Sequence, residues 1–213
     1  MDESAAEEAV RLGRVLEKGT GSRRLSEAQI ASLVALANRD NPDSRMVAAY
    51  FLAFADDDAS LRTLKALVDN SNGIVSGCAR FSVRWRSLRA GKDQVLAADV
   101  GKAIHEITSP YARIMMVNRL AMDYEKESMP LIRGLLQDEA DPLVRCDLLY
   151  YVVTHGTRED CRSVAALQWN EKVTPSESLS FLLGVITPRR SKDATDNSTG
   201  ELLRRLHERI DSK

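Results

Sequence analysis

Apolar residues recur along this chain at the spacing of one helix face, and three of the stretches open in the same way. Ala48, Ala49, Leu52 and Ala53 follow "NPDSR" (41–45); Met116, Val117, Leu120 and Ala121 follow "SPYAR" (109–113); Leu148, Leu149, Val152 and Val153 follow "DPLVR" (141–145). A spacing of i, i+1, i+4, i+5 lines up one stripe of an α-helix. Asn41, Ser109 and Asp141 are suited to the N-cap, where a side-chain oxygen accepts from the first turn's N–H groups. Pro42, Pro110 and Pro142 then fall at the first helical position, where a missing N–H costs nothing and φ is already suitable. Arg45, Arg113 and Arg145 stand at the fourth.

A fourth copy is expected between residues 45 and 109, and two frames compete for it. "NGIVS" (72–76) offers the cap Asn72 but no arginine, whereas "SGCAR" (76–80) offers Ser76 as cap and Arg80 in the arginine position. The second frame is preferred because it spaces the copies by 35, 33 and 32 residues and aligns Gly91 with Gly156. The helix itself is allowed to begin earlier, near Ile74. A second helical pattern follows each copy, carried by Leu61, Leu64, Leu67 and Val68; by Val100, Ala103, Ile104 and Ile107; by Leu131, Leu135 and Leu136, with Pro130 in the first turn; and by Cys161, Val164, Ala165 and Leu167. Two helices and a short turn, recurring every 31–35 residues, are the signature of a repeat array.

The ends read as partial units. Residues 3–18 predict a helix stopped at Gly19, and "GTGSRR" a turn. Ser26 and Gln29 form a capping box ahead of Ile30, Leu33, Val34 and Ala37. Thr174 and Glu177 suggest another around Pro175, ahead of "SLSFLLGVI". The expected organisation is a helical array over 1–186, with a first partial unit at 3–40, repeats near 41–71, 72–108, 109–140 and 141–171, and a closing helix at 174–186. A linker at 187–197 and a C-terminal amphipathic helix at 198–213, carrying Leu202, Leu203, Leu206 and Ile210, complete it.

Composition agrees with helices. Hydrophobic residues make up 44 % of the 213 and aromatic ones only 5 %, so the core is built mainly from Ala, Leu, Val and Met, which suit helices better than strands. A net charge of −1 points to no charged partner class as a whole; local clustering alone could. Cys78, Cys146 and Cys161 are an odd, scattered set that suggests neither disulfides nor a metal site. The acidic opening "MDESAAEEAVRLGR" lacks the apolar core of a secretory signal, and no stretch reaches the ~20 apolar residues of a membrane span. The expectation is a cytoplasmic protein without a membrane partner.

The units "DPLVR…LLYYVV" and "SPYAR…RLAM", each followed by a second helix ending near an acid, resemble HEAT-type repeats, closest to the short bacterial kind with a D-P-x-V-R-x-x-A-x-x-x-L pattern. The resemblance covers roughly residues 25 to 170; only 141–145 fits the opening motif fully, and Leu148 stands where a small Ala is usual. It implies an all-α fold, a right-handed α-solenoid of four to five two-helix repeats with terminal capping helices, whose arginine-bearing helices line the concave face. It also implies binding of macromolecules far more often than catalysis. An extended array independently suggests a grooved binding surface. The arginine column (Arg45, Arg80, Arg113, Arg145) is assigned to structure, with Asp40, Asp69, Asp138 and Asp141 available to pair with it.

Residues 70–92 break the pattern, with no acid and five bases: Arg80, Arg84, Arg86, Arg89 and Lys92, around Trp85. Bases and an aromatic together suit phosphates and stacked bases, or an acidic peptide. At ~100° per residue, however, Arg80 and Arg84 share one side of a helix and Arg86 and Arg89 nearly the opposite side. Ile74, Cys78, Phe81, Trp85 and Leu88 form a separate apolar stripe that draws Trp85 toward the core. Arg84 is the anomaly, because its counterparts in the other copies are apolar. His105, His155 and His207 lie far apart, and no phosphate loop, nucleophile elbow or catalytic carboxylate pair is present. The expected function is a non-catalytic scaffold or adaptor that grips a protein partner, with no cofactor, metal or small-molecule ligand. Nucleic-acid binding through the helix around 80–92, helped by Arg113, Arg119 and "PRR" (188–190), is the alternative.

Overall fold

The computed structural model describes residues 7–12, 25–92, 94–169, 172–186 and 198–212, and among them every regular element is helical. The helices are α1 (Glu27–Ala37), α2 (Pro42–Phe51), α3 (Asp58–Leu67), α4 (Gly73–Arg89), α5 (Ala97–Glu106), α6 (Pro110–Asp123), α7 (Glu125–Asp138), α8 (Pro142–His155), α9 (Arg158–Ala165), α10 (Glu177–Ile186) and α11 (Thr199–Asp211). Among the described residues, none is long and apolar enough to cross a membrane. The expected linker at 187–197 lies outside the described residues, as do most of 3–18 and the turn at 19–24.

The helix starts follow the chain's own punctuation. Asn41 Oδ1 accepts from Ser44 N at 3.0 Å, Ser109 Oγ from Ala112 N at 3.4 Å, and Asp141 Oδ1 from Leu143 N and Val144 N at 3.0 and 3.1 Å. A proline follows each cap. Ser26 and Gln29 form the reciprocal box, and Thr157 with Asp160 forms another.

Three starts differ from expectation. α4 is capped by Asn72, whose Oδ1 accepts from Ile74 N and Val75 N, so Ser76 is no cap. Its hydroxyl instead donates to Val68 O at 2.5 Å. The helix thus has one extra turn ahead of the repeated part, which accommodates both frames. α7 begins at Glu125, immediately after Tyr124 closes α6, so Pro130 lies inside the helix rather than in its first turn as expected from 128 onward. α10 begins at Glu177, leaving Thr174 and Pro175 outside it.

The chain forms two compact units. The first takes Met1–Val95 and Glu177–Arg189. In it α1 packs on α2, and α2 and α3 pack on α4. The single 3-10 turn Leu52–Phe54 ends α2. Its core is aromatic: Tyr50 stacks on Phe81 with centroids 5.2 Å apart, and Phe81 on Trp85 at 6.3 Å. Each such pair contributes about 0.5–1.5 kcal/mol beyond area burial. The closing helix α10 belongs to this unit, where Ser178 Oγ donates to Asp43 Oδ1 at 3.2 Å.

The second unit takes Leu96–Ser176 and Arg190–Lys213. α5 packs on α6, α6 on α7 and α8, and α7 on α8; α11 covers α8 and α9. α11 buries Leu202 and Leu206, and its Arg209 donates to the carbonyls of Val153 and Gly156 at the end of α8. That chain reversal requires glycine for space, since a Cβ on Gly156 would lie 2.5 Å from Val152 O. Gly91, its expected counterpart, instead takes a left-handed φ of 69°. The core here holds a polar trio: Tyr151 Oη donates to Asn118 Oδ1 at 2.5 Å, and Asn118 Nδ2 donates to Asp147 Oδ2 at 3.1 Å. All three are buried.

Candidate functional site

The six residues of the basic segment are dispersed around α4. Trp85 is buried against Phe81. Arg80 turns toward the helix start, reaching Ser76 Oγ at 3.3 Å and Asp69 Oδ1 at 3.2 Å. Arg86 Nη2 donates to Asp57 O at 2.9 Å, and Arg89 Nη1 to Ala53 O at 3.2 Å with Asp56 3.5 Å away. These two arginines share a face, as the helical spacing requires, and they satisfy carbonyls where α2 gives way to α3. Burial lowers the pKa of Arg86 against the support of Asp56 and Asp57. Buried Ser82, not singled out in the sequence, adds a bond from Oγ to Ala49 O at 2.6 Å. Arg84 is half-buried and Lys92 exposed. The geometry gathers no common phosphate-sized site from these six.

The arginine column takes up contacts at the inter-helix turns. Arg45 reaches Asp40 at 3.3 Å. Arg113 Nη1 donates to both carboxylate oxygens of Glu139, at 2.7 and 2.6 Å, rather than to Asp138 or Asp141. Arg145 Nη2 donates to Gln168 O at 2.8 Å and its guanidinium lies 4.6 Å from the Trp169 ring centroid.

Around Arg113 the second unit opens a cleft of about 570 Å³. The C-terminal ends of α5 and α7 and the N-terminal ends of α6 and α8 form it, each supplied by a capped helix boundary. Ile104 and Leu135 give it an apolar floor, and His105, Arg113, Asp138, Glu139 and Asp141 line its walls. Glu139 is held twice, by Arg113 and by Asp141 N at 2.8 Å. Asp141 serves α8 as its cap. Asp138 and His105 are exposed and form no hydrogen bond or ion pair among the described residues. Both sit in the last turn of a helix, where the backbone carbonyls add negative potential. Arg113 is the one guanidinium on the wall, and its charge is matched by Glu139. An open cleft of this kind suits ion pairs and hydrogen bonds with side chains from another molecule.

Of the candidates for chemistry, His105 lines this cleft and the buried cysteines lie outside its lining. Among the described residues no group of three His, Cys, Asp or Glu could hold a metal ion. Burial pushes the thiols of Cys78 and Cys161 above their usual range, so neither is an activated thiolate. The cleft itself had no signal in sequence beyond the acids near each turn, because Arg113's reach across to Glu139 depends on how α6 and α7 stack. Comparison of the chain with protein-family models, with curated proteins and with solved structures finds no match.

Proposed function

We propose that this chain is a non-catalytic scaffold or adaptor that grips a protein partner on a surface built from paired HEAT-like helices. The observation that carries this reading is the division of labour among the charged side chains. Those of the repeat column are taken up at the turns, Arg45 and Arg80 by the turn ahead of their own helix and Arg113 and Arg145 by a later one, while the cleft of the second unit keeps an apolar floor and polar walls open to solvent. A right-handed solenoid, with arginine-bearing helices lining its concave face, is the architecture we infer for each run of helices. Its support is the recurrence of cap, proline and arginine at matching positions and, within each unit, the packing of helices α1–α4 and α5–α9 on the next one or two in sequence.

Selection from a random-peptide display library against the full chain tests the reading, with synthetic copies of the recovered peptides titrated by fluorescence anisotropy. Reproducible binding that depends mildly on salt supports it. The nucleic-acid alternative is titrated alongside, using random single- and double-stranded DNA and RNA at low and moderate salt. Tight, steeply salt-dependent binding, lost in an Arg84→Glu/Lys92→Glu chain, would replace the protein-partner reading.

A further inference from the structure

We infer that the cleft between the ends of α5, α6, α7 and α8 receives a basic segment of the partner, with a lysine or arginine side chain laid over Ile104 and Leu135 and its cation directed at Asp138. The inference rests on the scaffold reading and says where the partner binds and what chemistry it offers.

Charge complementarity identifies the occupant. Three carboxylates, Asp138, Glu139 and Asp141, share the walls with one guanidinium, that of Arg113. Both carboxylate oxygens of Glu139 accept from that guanidinium, so the pair is neutral as a unit. Asp141 is turned inward to the N–H groups of α8. Among the described residues Asp138 has no cationic partner, and it lies in the last turn of α7, where the helix dipole opposes a negative charge. The lining carries two more negative than positive side chains, which favours a cation even though the N-terminal ends of α6 and α8 also face the cleft.

The cleft's shape supports a side chain over a small ion. Its volume of about 570 Å³ is within the ordinary range for sites that enclose several side chains or a small molecule. Its apolar floor matches the methylene stem that lysine and arginine carry below the charge. The acids paired with Arg45 and Arg80 are instead all but fully exposed, at 102 % for Asp40 and 89 % for Asp69. Asp40 and Asp69 stand out in solvent, whereas Glu139 and Asp141 are partly withdrawn into the recess.

The test uses the full chain and two charge reversals of equal size. Asp138→Lys alters the cleft, and Asp40→Lys alters an exposed acid of the first unit. A labelled Arg/Lys-containing nonapeptide and its Glu-substituted counterpart are titrated by anisotropy, together with the peptides recovered from display. The expected result is binding of the cationic peptide alone, weakened about tenfold by Asp138→Lys and by less than about twofold by Asp40→Lys. Equal weakening by both reversals would overturn the inference, because it would mark a general charge effect. So would recovered peptides that are neutral or acidic, or that bind Asp138→Lys undiminished; the scaffold reading would then survive with its surface elsewhere. If no peptide of any kind binds, both fall. A circular-dichroism melt of each variant checks the fold, which Asp138→Lys should leave intact because the side chain is exposed.

Discussion

In the first unit Arg45 and Arg80 reach back to Asp40 and Asp69, acids of the turns ahead of their own helices. In the second unit Arg113 and Arg145 reach forward, to Glu139 in the turn after α7 and to Gln168 and Trp169 after α9. The sequence position of the arginine is the same at 45, 113 and 145; the consequence is not. A backward reach leaves the carboxylate in water, where an ion pair contributes little. The forward reach of Arg113 crosses a helix pair and withdraws Glu139 to 5 % side-chain exposure. The cores differ as well: the first unit stacks Tyr50, Phe81 and Trp85, and the second joins the Tyr150–Tyr151 pair to buried Asn118 and Asp147. Two runs of one repeat pattern thus hold together by different means, and the cleft belongs to the run whose arginine spans the seam.

That contrast can be broken most forcefully at the aromatic stack. Phe81 touches both Tyr50 and Trp85 and is fully buried. Phe81→Ala should cost about 3–5 kcal/mol in urea unfolding, through lost transfer energy and the cavity left behind. A cost under about 1 kcal/mol would mean the stack is not the core of the first unit.

Next comes the seam. Arg113→Ala leaves the buried Glu139 carboxylate without its cation, and should cost about 2–3 kcal/mol. Arg80→Ala, opposite an acid in open water, should cost no more than about 1 kcal/mol. Equal losses would erase the distinction between the two ways of using the arginine.

The polar trio offers a smaller effect. Tyr151→Phe removes the hydroxyl that donates to buried Asn118 Oδ1, at a cost of about 1 kcal/mol. The effect of acid is smaller still. Burial raises the pKa of Asp57 and of Asp160, but bonds from Ser60 and from Thr157 outweigh it, so both carboxyls lie below their ordinary value of 3.8. A folded pKa below the unfolded one contributes stability that is complete above the unfolded value and is lost as pH falls through the folded one. Unfolding free energy attributable to these caps should therefore be flat from neutral pH to about pH 5 and fall below about pH 4. Asp160→Asn should flatten that decline in part, as read from denaturation midpoints across the acid range.

The local grammar of the fold was legible because it is local. A cap such as Asn41 or Asp141 bonds to N–H groups two or three residues away, so a short stretch of sequence contains both partners. The start of α4 was harder, since Asn72 and Ser76 are each plausible caps, and the bonds from Ile74 N and Val75 N to Asn72 and from Ser76 to Val68 O decide between them. The dispersal of Arg80 and Arg86 to opposite sides followed from helical spacing alone. The attachments of Arg113, Arg86 and Ser82 did not, because their partners lie 26, 29 and 33 residues away. The trio of Asn118, Asp147 and Tyr151 had a signal that went unread. Asn118 occupies the position, nine residues after the cap, where the other copies carry Tyr50, Tyr150 and, in either frame, Phe81 or Trp85. The same column comparison that exposed Arg84 would have exposed it. The assignment of α10 to the first unit has no local signature at all.

Hydrogen–deuterium exchange of the full chain, with and without a saturating peptide from the display selection, tests the central claim most directly. The account predicts slowed exchange over residues 104–107 and 135–144, with residues 80–92 unchanged. Protection confined to 80–92, or spread over helices of the first unit with the cleft unchanged, would contradict it.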